Sequence, residues 1–139
     1  MLDLINENKI GEAKGTAVEE MVEMNFRGET SEVGIYLAMA WQAQREGLPE
    51  VAEALKSIAW EEAQHGARYA ILNSKISAST KEKLEEMLAG EQAANKGKRE
   101  AAIKAREAAG DETHEVFDET SRDEARHARI LEGLLKRYC

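Results

Sequence analysis

Cysteine occurs once in this chain of 139 residues, at Cys139, and proline once, at Pro49. A single cysteine excludes an intrachain disulfide, a CxxC redox pair and a Cys-rich metal knot within this sequence, and a reducing cytoplasm is the expected setting. No apolar run reaches the ~18 residues a membrane span needs. No Lys/Arg-rich block stands out, the formal net charge is −8 and the isoelectric point is about 5.0, so neither nucleic acid nor an anionic membrane is an expected partner. Met1 to Ile10 lacks a basic start and a continuous apolar stretch, so no signal peptide is expected. Aromatic residues make up 5%. Alanine, glutamate, lysine and leucine carry the pattern instead.

That pattern is helical. Apolar positions recur at three and four rather than two, and four long helices are predicted over roughly 16–46, 49–73, 79–109 and 111–137. Gly47 suits the position just past the first helix and Pro49 the first turn of the second. Ser79 or Thr80 is an expected N-cap for the third, and the AAGDE stretch supplies a Gly stop and an Asp start before the fourth. The length fits one all-α domain over 16–139 preceded by a loosely packed N-terminal arm over 1–15.

Of the three histidines, two follow a glutamate by three residues: Glu62 with His65, and Glu124 with His127. Both pairs are mid-helix, where a spacing of three puts the side chains on one face. The second pair repeats the first at an offset of 62, since 124 − 62 = 62 and 127 − 65 = 62. Gly28-Glu29 and Gly90-Glu91 keep the same offset, so each half (16–77 and 78–139) holds one lone Glu and, 33 residues on, a Glu-x-x-His. The remaining sequence of the halves agrees only weakly.

These carboxylates lie on apolar stripes. Val18, Val22, Phe26, Val33, Leu37 and Ala40 share the stripe of Glu29; Val51, Leu55, Ile58, Tyr69 and Leu72 that of Glu62; Phe117, Leu131 and Leu135 that of Glu124. A carboxylate removed from water needs a counter-charge, and no Lys or Arg lies one turn away on those stripes. A metal ion answers the need. Two lone Glu plus two Glu-x-x-His pairs is the ligand set of a carboxylate-bridged di-iron or di-manganese bundle, and oxygen-rich sets with one imidazole per metal suit Fe(II) and Mn(II). Glu29, Glu62 and His65 would bind one ion and Glu91, Glu124 and His127 the other, with Glu62 and Glu124 bridging. Gly28 and Gly90 either give room for close helix approach beside the ligands or mark loose local sequence, each at roughly 1 kcal/mol against Ala. His114 stands away from the centre and receives no role.

The stretches RGETSEVGIYLAMAWQAQREG, EEAQHGARY, AGEQAANKG and DEARHARIL, taken in order, resemble the four helix motifs of the rubrerythrins, in the ferritin-like superfamily. The resemblance covers nearly all of 16–137. It implies a ferritin-like four-helix bundle and reduction of hydrogen peroxide at a di-iron centre, in oxidative-stress defence. Tyr36 stands seven residues after Glu29, where the family has a tyrosine; it either hydrogen-bonds a ligand or peroxide or is an ordinary core residue. Two departures stand out. The family's rubredoxin domain with four cysteines is missing, so electrons would come from a separate donor such as a rubredoxin-type protein. The family's extra Glu, three residues after the third-helix ligand, is here Ala94, whereas its mate at the offset of 62 is Glu32. Glu32 is therefore expected to reach the metal bound by His127 and exchange with it, or else to be a solvent-facing Glu.

Ferritin-like topology makes helices two and three parallel, so their connector must run the length of the bundle. A helix of about 26 residues is roughly 39 Å long, while about six residues (SKISAS) span at most ~21 Å. Either the bundle is a plain up-down-up-down one or two chains exchange helix pairs. A homodimer with swapped pairs keeps the site and is the favoured reading. The alternative function is a ferroxidase, an iron-binding protein like a mini-ferritin, for which oxygen rather than peroxide is the oxidant.

Overall fold

The structure is a computed structural model that describes residues 1, 3–6 and 9–139. Its four helices are α1 (Glu19–Arg45), α2 (Pro49–Leu72), α3 (Thr80–Ala108) and α4 (Asp111–Tyr138), with no strand among the described residues. Each boundary falls within three residues of the position read from the sequence. The chain forms two compact units, Met1–Ala78 and Ser79–Cys139, each a helical hairpin.

The first hairpin turns at 46–48. There Gly47 takes φ +77°, a conformation that costs glycine nothing. Its N–H bonds Gln44 O at 3.1 Å and the Leu48 N–H reaches back to Ala43 O at 2.9 Å, which together close the Schellman pattern. Pro49 then occupies the first turn of α2, where no intrahelical N–H is needed. Small residues form the seam: Ala40 and Ala52 are fully buried, Ala43 and Ala59 nearly so, and Leu55 packs against them. Small side chains let two helix backbones approach closely. A two-helix hairpin cannot hide a whole apolar stripe, and Val18, Val51 and Ile58 remain exposed.

Of the arm expected over 1–15, Leu2, Glu7 and Asn8 lie outside the described residues. From Gly11 onward the arm is not loose. The Gly11 and Ala13 N–H groups bond Ile71 O (2.8 Å) and Leu72 O (3.1 Å), supplying donors to carbonyls that the end of α2 leaves without intrahelical partners. Gly11 has φ +79°, and a side chain there would collide with the Ser74 hydroxyl.

In the second hairpin Ser79 caps α3, its hydroxyl accepting from the Glu82 N–H at 3.3 Å as expected. Ala102 and Ala105 are buried, but polar bonds tie the rest of this seam. Asn95 Nδ2 donates to Ser121 O (2.8 Å) while the buried Ser121 hydroxyl donates to Asn95 O (3.0 Å). Arg99 pairs with Asp118 at 2.7 Å. A guanidinium only donates, so His114 Nε2 accepts from Arg106 (2.8 Å) and its Nδ1–H donates to Ala102 O at 2.6 Å. His114 thus staples the two helices together.

Candidate metal centre

Glu29 stands mid-way along α1, and Glu62 and His65 one turn apart on α2. Pairing of the two helices brings the three together. His65 Nδ1 lies 3.0 Å from Glu62 Oε2 and 3.5 Å from Glu29 Oε2, and one ligand atom from each residue falls within 4.8 Å of the others. The second hairpin repeats the arrangement. His127 Nδ1 lies 3.0 Å from Glu124 Oε2 and 3.6 Å from Glu91 Oε2, again within 4.8 Å overall. The offset of 62 in sequence is therefore an offset between two sets of the same geometry. All six residues expected as core ligands take part.

The four carboxylate side chains are 13–19% exposed and the imidazoles 46% and 43%, so each set is sheltered on its carboxylate side and open beside the ring. An open depression beside His65 is bounded by Glu29, Arg68, Tyr69 and Leu72; another beside His127 by Met87, Glu91, Ile130 and Leu131. The first pair of carboxyls is crowded. Its hydrogen bond with Glu62 holds the Glu29 carboxyl above the usual carboxylate range, while the same bond holds Glu62 below it. Two carboxylates and an imidazole nitrogen converging at this range fit a divalent cation.

The second pair is relieved differently. Lys98 of α3 places its ammonium on Glu124 Oε1. No Lys or Arg lies one turn from these carboxylates on their own stripes, but Glu124 finds its counter-charge on the neighbouring helix. Lys98 stands seven residues, two turns, after Glu91, so its face could have been read from the sequence.

Glu32 is exposed and shares a shallow depression with Met24, Asn25, Gly28 and Glu29; it is not among the converging ligand atoms. Tyr36 is half-buried on the same helix. Gly28 and Gly90 do not serve close approach within their hairpins, since a Cβ at either would meet nothing within 4 Å. The residue that does is Gly66, next to His65. A Cβ there would come within 3.1 Å of the Thr30 methyl and 4.0 Å of Glu29 Cβ. A glycine following the ligand histidine was the available signal.

The family model described as rubrerythrin matches residues 20–135 of the chain. The chain is 62% identical over 137 residues to an uncharacterized protein of Methanocaldococcus jannaschii, covering 99% of this chain and 97% of that protein. It is 48% identical over 136 residues to reverse rubrerythrin-1 of Clostridium acetobutylicum, covering 96% of this chain and 75% of that protein.

Proposed function

The chain belongs to the rubrerythrin family of ferritin-like di-iron proteins, and on that premise we propose that it reduces hydrogen peroxide to water with electrons from a separate donor. The observation that carries this reading is the pair of Glu/Glu/His sets, matched to within 0.1 Å in their Nδ1 to carboxylate distances. In it, Glu29, Glu62 and His65 hold one iron and Glu91, Glu124 and His127 the other, and Glu62 and Glu124 have the oxygens to bridge them. Glu32 is a seventh candidate ligand, and Tyr36 a candidate hydrogen-bond donor to a ligand or to peroxide.

Ferrous iron held by these residues would supply the chemistry the side chains lack, two electrons that with two protons would turn one peroxide into two waters. The donor returns both electrons. The chain's own residues orient the ligands and hold protons. Nδ1, not Nε2, faces the carboxylates in both histidines. The hydrogen bond to Glu62 raises the proton affinity of the Glu29 carboxyl. Manganese would suit the same donors.

A homodimer with exchanged helix pairs is our proposed assembly. The connector at 73–79 is short, and each set needs a second to complete a di-iron centre. We place the reaction in the cytoplasm, on the single cysteine. No described helix is long and apolar enough to cross a membrane.

The test is anaerobic rapid mixing of Fe(II)-loaded protein with hydrogen peroxide or with oxygen. Much faster oxidation by peroxide, with no uptake beyond two irons per site, is the expected result. Faster oxidation by oxygen followed by continued iron uptake into a large assembly would replace this reading with ferroxidase and storage.

A further inference from the structure

Among the described residues no Lys or Arg pairs with the carboxyls of the first set, where Glu29 and Glu62 converge beside His65. In the second, both oxygens of Glu124 are engaged, Oε1 by the Lys98 ammonium and Oε2 by His127 Nδ1 at 3.0 Å. Lys98 is the residue at the offset of 62 from Tyr36, so an ammonium stands in one hairpin where a phenol stands in the other. Its side chain is 34% exposed and that of Glu124 13%, so a partly exposed lysine meets a sheltered carboxylate. We propose that Lys98 is a built-in counter-ion that makes the two metal sets unequal, competing with the metal for Glu124 so that the Glu91/Glu124/His127 set fills last and empties first.

This rests on the di-iron reading and adds an order to it. An ammonium is a compact point charge on a flexible stem. Close to a carboxylate it lowers the negative charge that attracts a divalent ion, and it repels that ion directly. A carboxylate that bridges two metals needs both oxygens. Glu124 can therefore bridge only after Lys98 releases Oε1. Among the described residues Glu62 faces no such tethered competitor. The Lys98 side chain is partly exposed, so the ammonium can swing out to solvent without repacking the hairpin. Lys98 acts through Glu124 and is thus a positioning residue, not a catalytic one.

Co(II) binding to the metal-free full-length protein reads this without turnover. His127→Ala leaves the first set intact and His65→Ala leaves the second; each is compared with and without Lys98→Gln, with helicity checked by circular dichroism. In the His65→Ala background, Lys98→Gln is expected to tighten Co(II) binding on the order of tenfold. In the His127→Ala background it is expected to change affinity less than about twofold, because the carboxylate that Lys98 pairs with, Glu124, belongs to the other set. Lys98→Arg, which keeps the charge, is expected to stay near the parent in both. Unchanged or weaker binding after Lys98→Gln in the His65→Ala background would overturn the proposal, as would an equal gain in both backgrounds or the same gain with Arg. Wild-type protein that binds no Co(II) would remove the metal centre and this proposal together. Wild-type binding with a flat response to Lys98→Gln removes this proposal alone.

Discussion

Where the first hairpin carries Val33, Tyr36, Ala52 and Ala59, the second carries Asn95, Lys98, His114 and Ser121 at the positions 62 residues on. All four of the latter make polar bonds between α3 and α4. One seam is apolar and the other is held by hydrogen bonds, yet each delivers a Glu, a Glu and a His to one point with nearly the same distances. At the buried seam positions the halves share little: Ala40 with Ala102 and Ala43 with Ala105. Alanines at the seam set how closely and in what register the helices pair, and that register places the ligands. The chemistry of the remaining rungs was then free to diverge, and it did so next to the ligands, at Lys98.

The comparison breaks most completely if the ligands are removed. His65→Ala and His127→Ala should each lower the rate of peroxide reduction by more than about 100-fold, since even outer partners of metal ligands cost 10–100-fold. Stopped-flow kinetics on the iron-loaded variants measures it, and a strong loss in only one would show that the sets are not two halves of one centre.

Gly66 separates the hairpins next. Its mate is Ala128, so the second hairpin accepts a Cβ that the first does not. Thr30 is pinned by its hydroxyl, bonded to Phe26 O at 2.8 Å, so its methyl cannot turn away cheaply. Gly66→Ala should cost about 1–3 kcal/mol of stability, relieved by Thr30→Ser, with urea unfolding as the measure. A neutral Gly66→Ala would show that the seam tolerates the extra methyl.

The polar seam can be converted into the apolar one. Ser121→Ala and Asn95→Val should each destabilise by about 1 kcal/mol. Made together they restore the Ala59/Val33 pairing of the first hairpin and should cost less than the sum of the singles. Strict additivity in urea unfolding would mean the two residues act independently.

The smallest expected effect is a pH dependence of the metal-free chain. Glu29 is raised above its ordinary value of 4.5, so the stability its proton contributes is present below that value and lost as pH rises through the raised one. Glu62 is lowered, so its contribution appears above 4.5 and is lost as pH falls through the lowered value. Between these limits the singly protonated pair is favoured. Glu29→Gln, permanently neutral, should abolish the loss on the alkaline side, and equal urea midpoints for wild type and variant across that range would argue against a shared proton.

Much of this was legible before the structure. Helix limits followed from period, from Gly47, Pro49 and Ser79, and from the Gly-Asp start of α4, because these are local backbone effects. The ligand sets followed from a repeat whose register outlasted its sequence. What could not be read directly depended on how two helices meet. Lys98 was passed over because counter-charge was sought along each Glu's own helix. Gly66 was passed over for Gly28 and Gly90, which lie beside the same ligands in sequence but face open space within their hairpins. The arm from Gly11 to Ala13 has no apolar period because its role is carried by backbone N–H groups, which leave no mark on side-chain pattern.

The central claim is that two matched sets make one di-iron centre per chain equivalent. Anaerobic titration of the metal-free protein with Fe(II) tests it most directly. The account expects tight uptake of about two Fe(II) per chain and then none. Uptake of no iron, or uptake continuing far beyond two, would contradict it.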